Sequence, residues 1–352
     1  MYAQQPKKML AMNILGILNR HTDKNHRLSQ KEIVELLLND YGMEVERKAV
    51  KRNLENLLDA GYDIECSESV RRRQNGEEET LRTDWYINRK FDDSELRLLI
   101  DSLLFSKHIP YSQCKTLIQK LKGLSNRYFD AKVRHVCNLP ENLPSGKQLF
   151  YTIDVLDEAI GEKRQVAFRY GSYGIDKKPH PRKNGAGEIR EYIVNPYQIV
   201  ATNGRYYLIG NYDKYDNVAH YRLDRIEGIR LLEGKAKEKR RVRGLENGLD
   251  LPKHMAEHIY MFAGESVRAK FRFPRDMAGE VIDWFGMDVV FSDVTEAEAT
   301  AAVTVNAGAM FFWGLQYGES VEILEPQPLR ERVSAAAESM CRRYLASMQL
   351  LH

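Results

Sequence analysis

Asn75-Gly76 is a dipeptide with few backbone options. Both residues tolerate positive φ, so a type I′ turn between two extended strands is the conformation they favour. It lies inside "YDIECSESVRRRQNGEEETLRTDWYI", and three segments with helical spacing precede it. In the first, Leu10, Ile14, Ile17 and Leu18 recur on one face of a helix. The second, "LSQKEIVELLLNDYG", opens with Ser29 and Glu32 at capping-box spacing and ends on Gly42. The third, "ERKAVKRNLENLLDAGY", turns Val50, Leu54, Leu57 and Leu58 inward and closes at Gly61. Three helices followed by a hairpin is the layout of a winged helix-turn-helix, here over residues 1–90. In that layout the third helix enters the major groove and the hairpin lies beside it.

Charge placement fits a DNA-facing role. Arg47, Lys48, Lys51 and Arg52 sit near the start of the third helix. Cations there oppose the helix dipole, so another benefit is needed. Contact with phosphates and base edges is one. Arg71, Arg72 and Arg73 lie on the hairpin's approach to its turn, where a wing meets the backbone or the minor groove. Residues 1–90 hold 16 Lys/Arg against 15 Asp/Glu. The domain is therefore not basic overall, and the reading rests on sidedness against the alternative of a solvated basic face. The whole chain, at 352 residues with net charge +3, is only mildly basic. No apolar run reaches bilayer length, so no membrane partner is expected. The N-terminal stretch has helical spacing in place of a secretory leader's apolar core. Four cysteines without a CxxC pair read as reduced thiols, and a cytoplasmic location is expected.

Residues 91–145 read as a helical connector, two amphipathic helices broken near Pro110. Asp92 and Glu95 repeat the capping logic. Leu96, Leu99, Ile100, Leu103 and Leu104 form an apolar face that either meets another chain or packs internally. "PENLPSGK" reads as a linker, and a helix over about residues 147–162 follows. From Gln165 the period changes to two. Five short antiparallel strands, two of them turning at Asn203-Gly204, suggest a small closed barrel over residues 146–235, with the polar loop "GIDKKPHPRKNGAGE" hanging off it. Alternation assigns His220, Arg222 and Asp224 to one face and Tyr221, Leu223 and Arg225 to the other. An unpartnered buried charge costs several kcal/mol, so the arginines either pair with Asp224 and its neighbours or line an open site. Tyrosine, arginine and histidine together suit a phosphate-bearing ligand whose base stacks on a ring.

Residues 236–262 read as a basic linker. Within it "HMAEH" places His254, Glu257 and His258 in the H-x-x-E-H pattern of some zinc hydrolases. Five-residue matches arise by chance, and no GxSxG, Walker A or Rossmann glycine pattern accompanies it. No enzyme, cofactor or metal is expected. Residues 263–352 follow the order β-α-β-β-α-β and a closing helix, the split βαβ of ferredoxin-like domains.

The segment "NPYQIVATNGRYYLIGNYDKY…HYRLDRI", with "AIGEKRQVAFRY" upstream, resembles the WYL domain of bacterial transcriptional regulators. The tripeptide that names the family reads Tyr206-Tyr207-Leu208 here. The Trp313 helix, the Gly318 turn and Glu325-Pro326 resemble the C-terminal extension that follows such domains. The resemblance implies a multidomain α+β chain with an N-terminal winged helix-turn-helix, a central Sm/SH3-like small β-barrel and a C-terminal ferredoxin-like domain. It also implies a homodimer on a double-stranded DNA operator and a nucleotide or single-stranded nucleic acid effector. Tyr206, Tyr207, Arg222 and Arg225 carry over as ligand-binding residues, followed by His220 and Tyr170. Arg190 joins them from its position at a strand start. The alternative is an RNA- or single-strand-binding factor acting through the barrel.

Overall fold

The computed structural model describes residues 6–72, 78–106, 109–129 and 148–349. They form two compact units, Met1–Ser145 and Gly146–His352.

The first unit opens with α1 (Leu10–His21), α2 (Gln30–Tyr41) and α3 (Arg47–Asp59). The Ser29 hydroxyl accepts from the Glu32 N–H, and the Glu32 carboxylate accepts from the Ser29 N–H, so the capping box that starts α2 is complete. Gly42 ends α2 at φ 63°, a left-handed conformation in which a side chain would be strained. Ile14, Leu18, Ile33, Leu37, Val50, Leu54 and Trp85 are fully buried in one core. Leu58, expected inward, is half-buried at its margin. β1 (Ile64–Arg72) and β2 (Glu78–Ile87) pair antiparallel up to Arg72 opposite Glu78. The turn dipeptide Asn75-Gly76 and Arg73 lie outside the described residues. A bridge between Leu28 and Trp85 ties the hairpin to the chain entering α2.

Asp92 caps α4 (Asp93–Phe105), and Pro110 precedes α5 (Tyr111–Lys122). Leu96 and Ile100 are buried, but Leu99 is 39% exposed. The apolar face is narrower than its leucine count implied, with Leu103 and Leu104 half-buried. The expected linker at residues 140–147 and Cys137 lie outside the described residues.

The second unit begins with α6 (Gln148–Glu162). It continues through β3 (Arg164–Tyr173), β4 (Pro179–Pro181), β5 (Glu191–Thr202), β6 (Arg205–Tyr212), β7 (Val218–Arg222) and β8 (Ile226–Lys235). The strands β3, β5, β6 and β7 form an antiparallel meander. After one 3-10 turn at Leu223–Arg225 the chain returns, and β8 pairs with the free edge of β3. This closes the sheet in the manner of an Sm/SH3-like barrel. Six strands stand where five were expected, because the polar loop after β3 folds back as β4. Asn203 and Gly204 both take positive φ, as a type I′ turn requires. The barrel interior is aromatic. Phe168, Tyr170, Tyr192 and Tyr221 are buried, with Tyr221 edge-on to Phe168 and Tyr170 at 5.3 Å. Such pairs add about 0.5–1.5 kcal/mol beyond burial.

Residues 236–262 do not hang free as a linker. The short α7 (Leu251–Glu257), capped by Asp250, packs Leu251 and Met255 with Met261 against Val200, Tyr207 and Ile209 on the outer face of β5 and β6. Asn203 Nδ2 donates to the Ile259 carbonyl at 3.0 Å. The apolar positions of α7 explain the difference: burying them outweighs the solvation of the polar residues between.

The chain then forms β9 (Ser266–Pro274), α8 (Ala278–Phe285), β10 (Val290–Ser292), β11 (Glu298–Asn306), α9 (Ala307–Gln316), β12 (Glu322–Glu325) and α10 (Gln327–Gln349). The sheet order β10-β11-β9-β12, antiparallel throughout, is ferredoxin-like. Trp313 is fully buried against Phe271 and Phe285.

Candidate functional site

In the first unit the charged surface is built at the start of α3. Glu46 precedes the helix but makes no side-chain cap hydrogen bond, and the first turn holds no acid. Arg47, Lys48 and Arg52 are exposed there. Lys51 is half-buried and lies 3.9 Å from Glu55. Arg47 Nε donates to Gln30 Oε1 at 3.0 Å, and Gln30 Nε2 donates to the Arg82 carbonyl at 3.4 Å. The first cation of α3 is thus held by α2 and β2. Lys7 and Lys8, from the turn before α1, line a groove of about 730 Å³ together with Arg52, Asn53, Glu44 and Glu46. Nothing in the period of any one segment marks Lys7 and Lys8, since only the fold of α1 onto α3 brings them beside Arg52. On the hairpin, Arg71 and Arg72 are exposed. Arg72 lies 3.3 Å from Glu78, and Arg71 stands opposite Glu79 in register. The wing therefore alternates charge along its edge and is less cationic than its arginine run suggested.

In the second unit Tyr206, Tyr207 and Leu208 lie on β6. Leu208 is in the barrel core, Tyr207 packs on the outer face beside Met261, and Tyr206 is half-buried. Arg222 ends β7, and its guanidinium donates to both Asp224 oxygens at 3.0 and 2.7 Å. Arg205 approaches the same carboxylate at 3.7 Å. Asp224 sits on the 3-10 turn, so strand alternation stops at Arg222. The face assignment expected for Leu223, Asp224 and Arg225 gives way there, because the chain must turn back to reach β3. Arg225 Nε is buried with no hydrogen-bond partner among the described residues. Burial and the Asp224 charge push the Tyr173 phenol up, while Arg222, Arg225 and Arg205 pull against them. Tyr170 is buried, and its hydroxyl accepts from the Arg222 backbone N–H at 3.0 Å. Arg190 lies over the Tyr192 and Tyr212 rings at 4.6 and 5.0 Å, and Arg182 over Tyr170 at 5.4 Å. Arg205 and Tyr173 stand outside the ligand set expected from the sequence. Arg205 follows the Asn203-Gly204 turn directly, and that position was the available signal.

His220 does not join the arginines. It lies on the same outer face of β7 as Arg222, opposite Ile209 where Arg222 is opposite Tyr207, and meets His254 at the end of α7 and His258 just after it. His220 Nε2 and His254 Nε2 are 2.8 Å apart. Each of the three residues offers a ring nitrogen within 4.8 Å of the other two. Burial, then the neighbouring imidazoles, drive His220 down to about 3; burial likewise drives His254 down to about 4. His258 Nδ1 lies 3.0 Å from the His254 carbonyl, which can only accept, so that nitrogen carries the proton.

The WYL domain family matches residues 151–231, and the WCX domain family matches residues 265–341. Among solved structures, the chain is similar to Proteasome accessory factor B/C (PafBC) of Arthrobacter aurescens, at 17% identity and a TM-score of 0.29. That similarity covers 97% of this chain and 50% of the other, so the chain spans about half the length of that protein. It is also similar to a CRISPR Cas-related protein, at 14% identity and a TM-score of 0.38, covering 97% of this chain and 84% of that one. No curated protein matches the chain. Among the described residues no helix is long and apolar enough to cross a membrane.

Proposed function

We propose, for a chain that carries a WYL domain followed by a WCX domain, that it is a sequence-specific DNA-binding transcriptional regulator whose barrel senses an anionic ligand. The observation that carries the DNA-binding half is the start of α3. Arg47 and Lys48 are exposed in a first turn that holds no acid, and Arg52 is exposed in the next turn, on the third helix of a three-helix-plus-hairpin unit. Arg47, Lys48, Lys51 and Arg52 contact base edges and phosphates, Lys7 and Lys8 extend the phosphate track, and Arg71, Arg72 and Arg73 meet the backbone beside it. The protein acts as a cytoplasmic homodimer on a two-fold operator, each protomer reading one half-site.

The sensing half is supported by the arginines around Asp224. Arg205, Arg222 and Arg225 bring more positive charge than that carboxylate balances, with Tyr170, Tyr173, Tyr206 and Tyr207 nearby or on the same strand. A nucleotide or a single-stranded nucleic acid offers the phosphate for the guanidiniums and a base for a ring. Arg190 and His220, expected in the ligand set, take supporting positions on the barrel.

Selection from a random duplex library, followed by gel shift on the enriched sequence, tests the reading. A discrete, pseudo-palindromic site bound at least about 1000-fold over random duplex at physiological salt supports it. Failure to enrich any duplex, with tighter binding to single strands, would replace it with a single-strand-binding factor working through the barrel.

A further inference from the structure

We propose that His220, His254 and His258 form a site for a borderline divalent transition-metal ion, zinc being the physiological candidate. Among the described residues this is the group of three or more ligating side chains close enough to share an ion. His220 comes from β7 of the barrel, His254 from α7, and His258 is the residue that follows α7. The i, i+4 spacing across the helix end brings two imidazoles together, stacked at 4.2 Å between ring centroids, and a strand brings the third.

The chemistry favours metal over a merely packed cluster. All three donors are imidazole nitrogens, a donor type that suits zinc, cobalt or nickel. His258 donates from Nδ1 to the His254 carbonyl, and the Gly264 backbone also hydrogen-bonds to its ring. Fixing one ring nitrogen by an outer hydrogen bond is how ligating histidines are usually oriented. Without an ion, the contact at 2.8 Å between His220 and His254 satisfies one proton and one lone pair. With an ion, Zn–N bonds of about 2.0–2.1 Å place tetrahedral donors about 3.3 Å apart. The pair at 2.8 Å opens slightly, and the third nitrogen, within 4.8 Å of both, moves in by no more than about 1.5 Å.

Three protein ligands leave a fourth position open. It faces a cleft of about 620 Å³ that includes Glu257, Arg243, Glu246 and Glu265. Water or a carboxylate fills that position. No reaction is proposed there. The ion clasps the barrel to the segment leading into the WCX domain.

The test uses the untagged full chain, stripped with chelator and titrated with Co²⁺. One equivalent should produce a visible d–d absorption band of four-coordinate cobalt without thiolate charge transfer, and one equivalent of Zn²⁺ should abolish it. Elemental analysis should find one zinc per chain. The melting temperature should rise by about 5 °C at saturating zinc. His254→Gln and His220→Asn should lose the band while far-UV circular dichroism stays native, and Cys341→Ser should keep it. Absence of any band in the wild-type chain overturns the proposal whatever the variants do, and so does a band that survives both histidine substitutions. Operator binding is read separately, so its failure leaves this result standing.

Discussion

On α3, Arg47, Lys48 and Arg52 stand exposed at a helix start; at Asp224, Arg205 and Arg222 are half-buried against a carboxylate, and Arg225 is half-buried on the same turn. Water solvates the first group, so the helix carries it at little cost to folding. The second group has lost much of its water, and Asp224 offsets that loss. Exposed cations select a ligand that is itself a dense polyanion, because only many weak screened contacts add up to binding. Half-buried cations hold one phosphate strongly but must first share it with, or take it from, a partner already present. The two regions thus suit an extended duplex and a discrete effector respectively.

The sharpest way to break this contrast is to remove the acid on each side. Asp224→Ala leaves Arg222, only 18% exposed at its side chain, without its bidentate partner. We expect a loss of about 2–4 kcal/mol in chemical denaturation. Glu55→Ala beside Lys51, where both side chains are about 40% exposed, should cost no more than about 0.5 kcal/mol. Equal costs would mean that the two environments do not differ as described. Next, Arg47→Ala with Arg52→Ala should weaken operator binding about 100-fold in gel shift. The slope of log K against log salt should fall by about 1–2, and thermal stability should stay close to wild type. An unchanged affinity in folded protein would move the DNA-reading surface elsewhere. Third, Arg222→Ala should abolish the change in operator affinity caused by an added single-stranded oligonucleotide or nucleotide. The wild-type change should be about 5–150-fold, and operator binding without the additive should stay within about threefold. A preserved response would detach sensing from β7. The smallest effect is expected at Arg72→Ala, about twofold on operator binding, because Glu78 already occupies that guanidinium. A tenfold loss there would give the wing a larger share than α3.

Much of the fold could be read from local signals. The Ser29–Glu32 box, the Asn203-Gly204 turn and the β-α-β-β-α-β order each act over a few residues, and each is present as expected. The cations of α3 were legible for the same reason, since a helix period places them. What escaped depended on distant packing. Leu99 is 39% exposed although it shares the apolar face with buried Leu96 and Ile100. The pairing of Arg222 with Asp224 was one of two expected outcomes, but the 3-10 turn that carries Asp224 was not legible. The histidine cluster was hidden twice. His220 lies 34 residues before His254, and α7, with seven residues, is too short for its apolar side to register as a period.

β7 deserves its last consequence. Its three final residues serve three settings: His220 the imidazole cluster, Tyr221 the aromatic interior, Arg222 the carboxylate turn. Adjacent peptide units share one backbone, so a pull on one side chain is felt by the next within a single bond rotation. An ion seized at His220 and an anion seized at Arg222 would therefore act on a common lever. By thermodynamic reciprocity, whatever factor the ion applies to the anion's affinity, the anion must return.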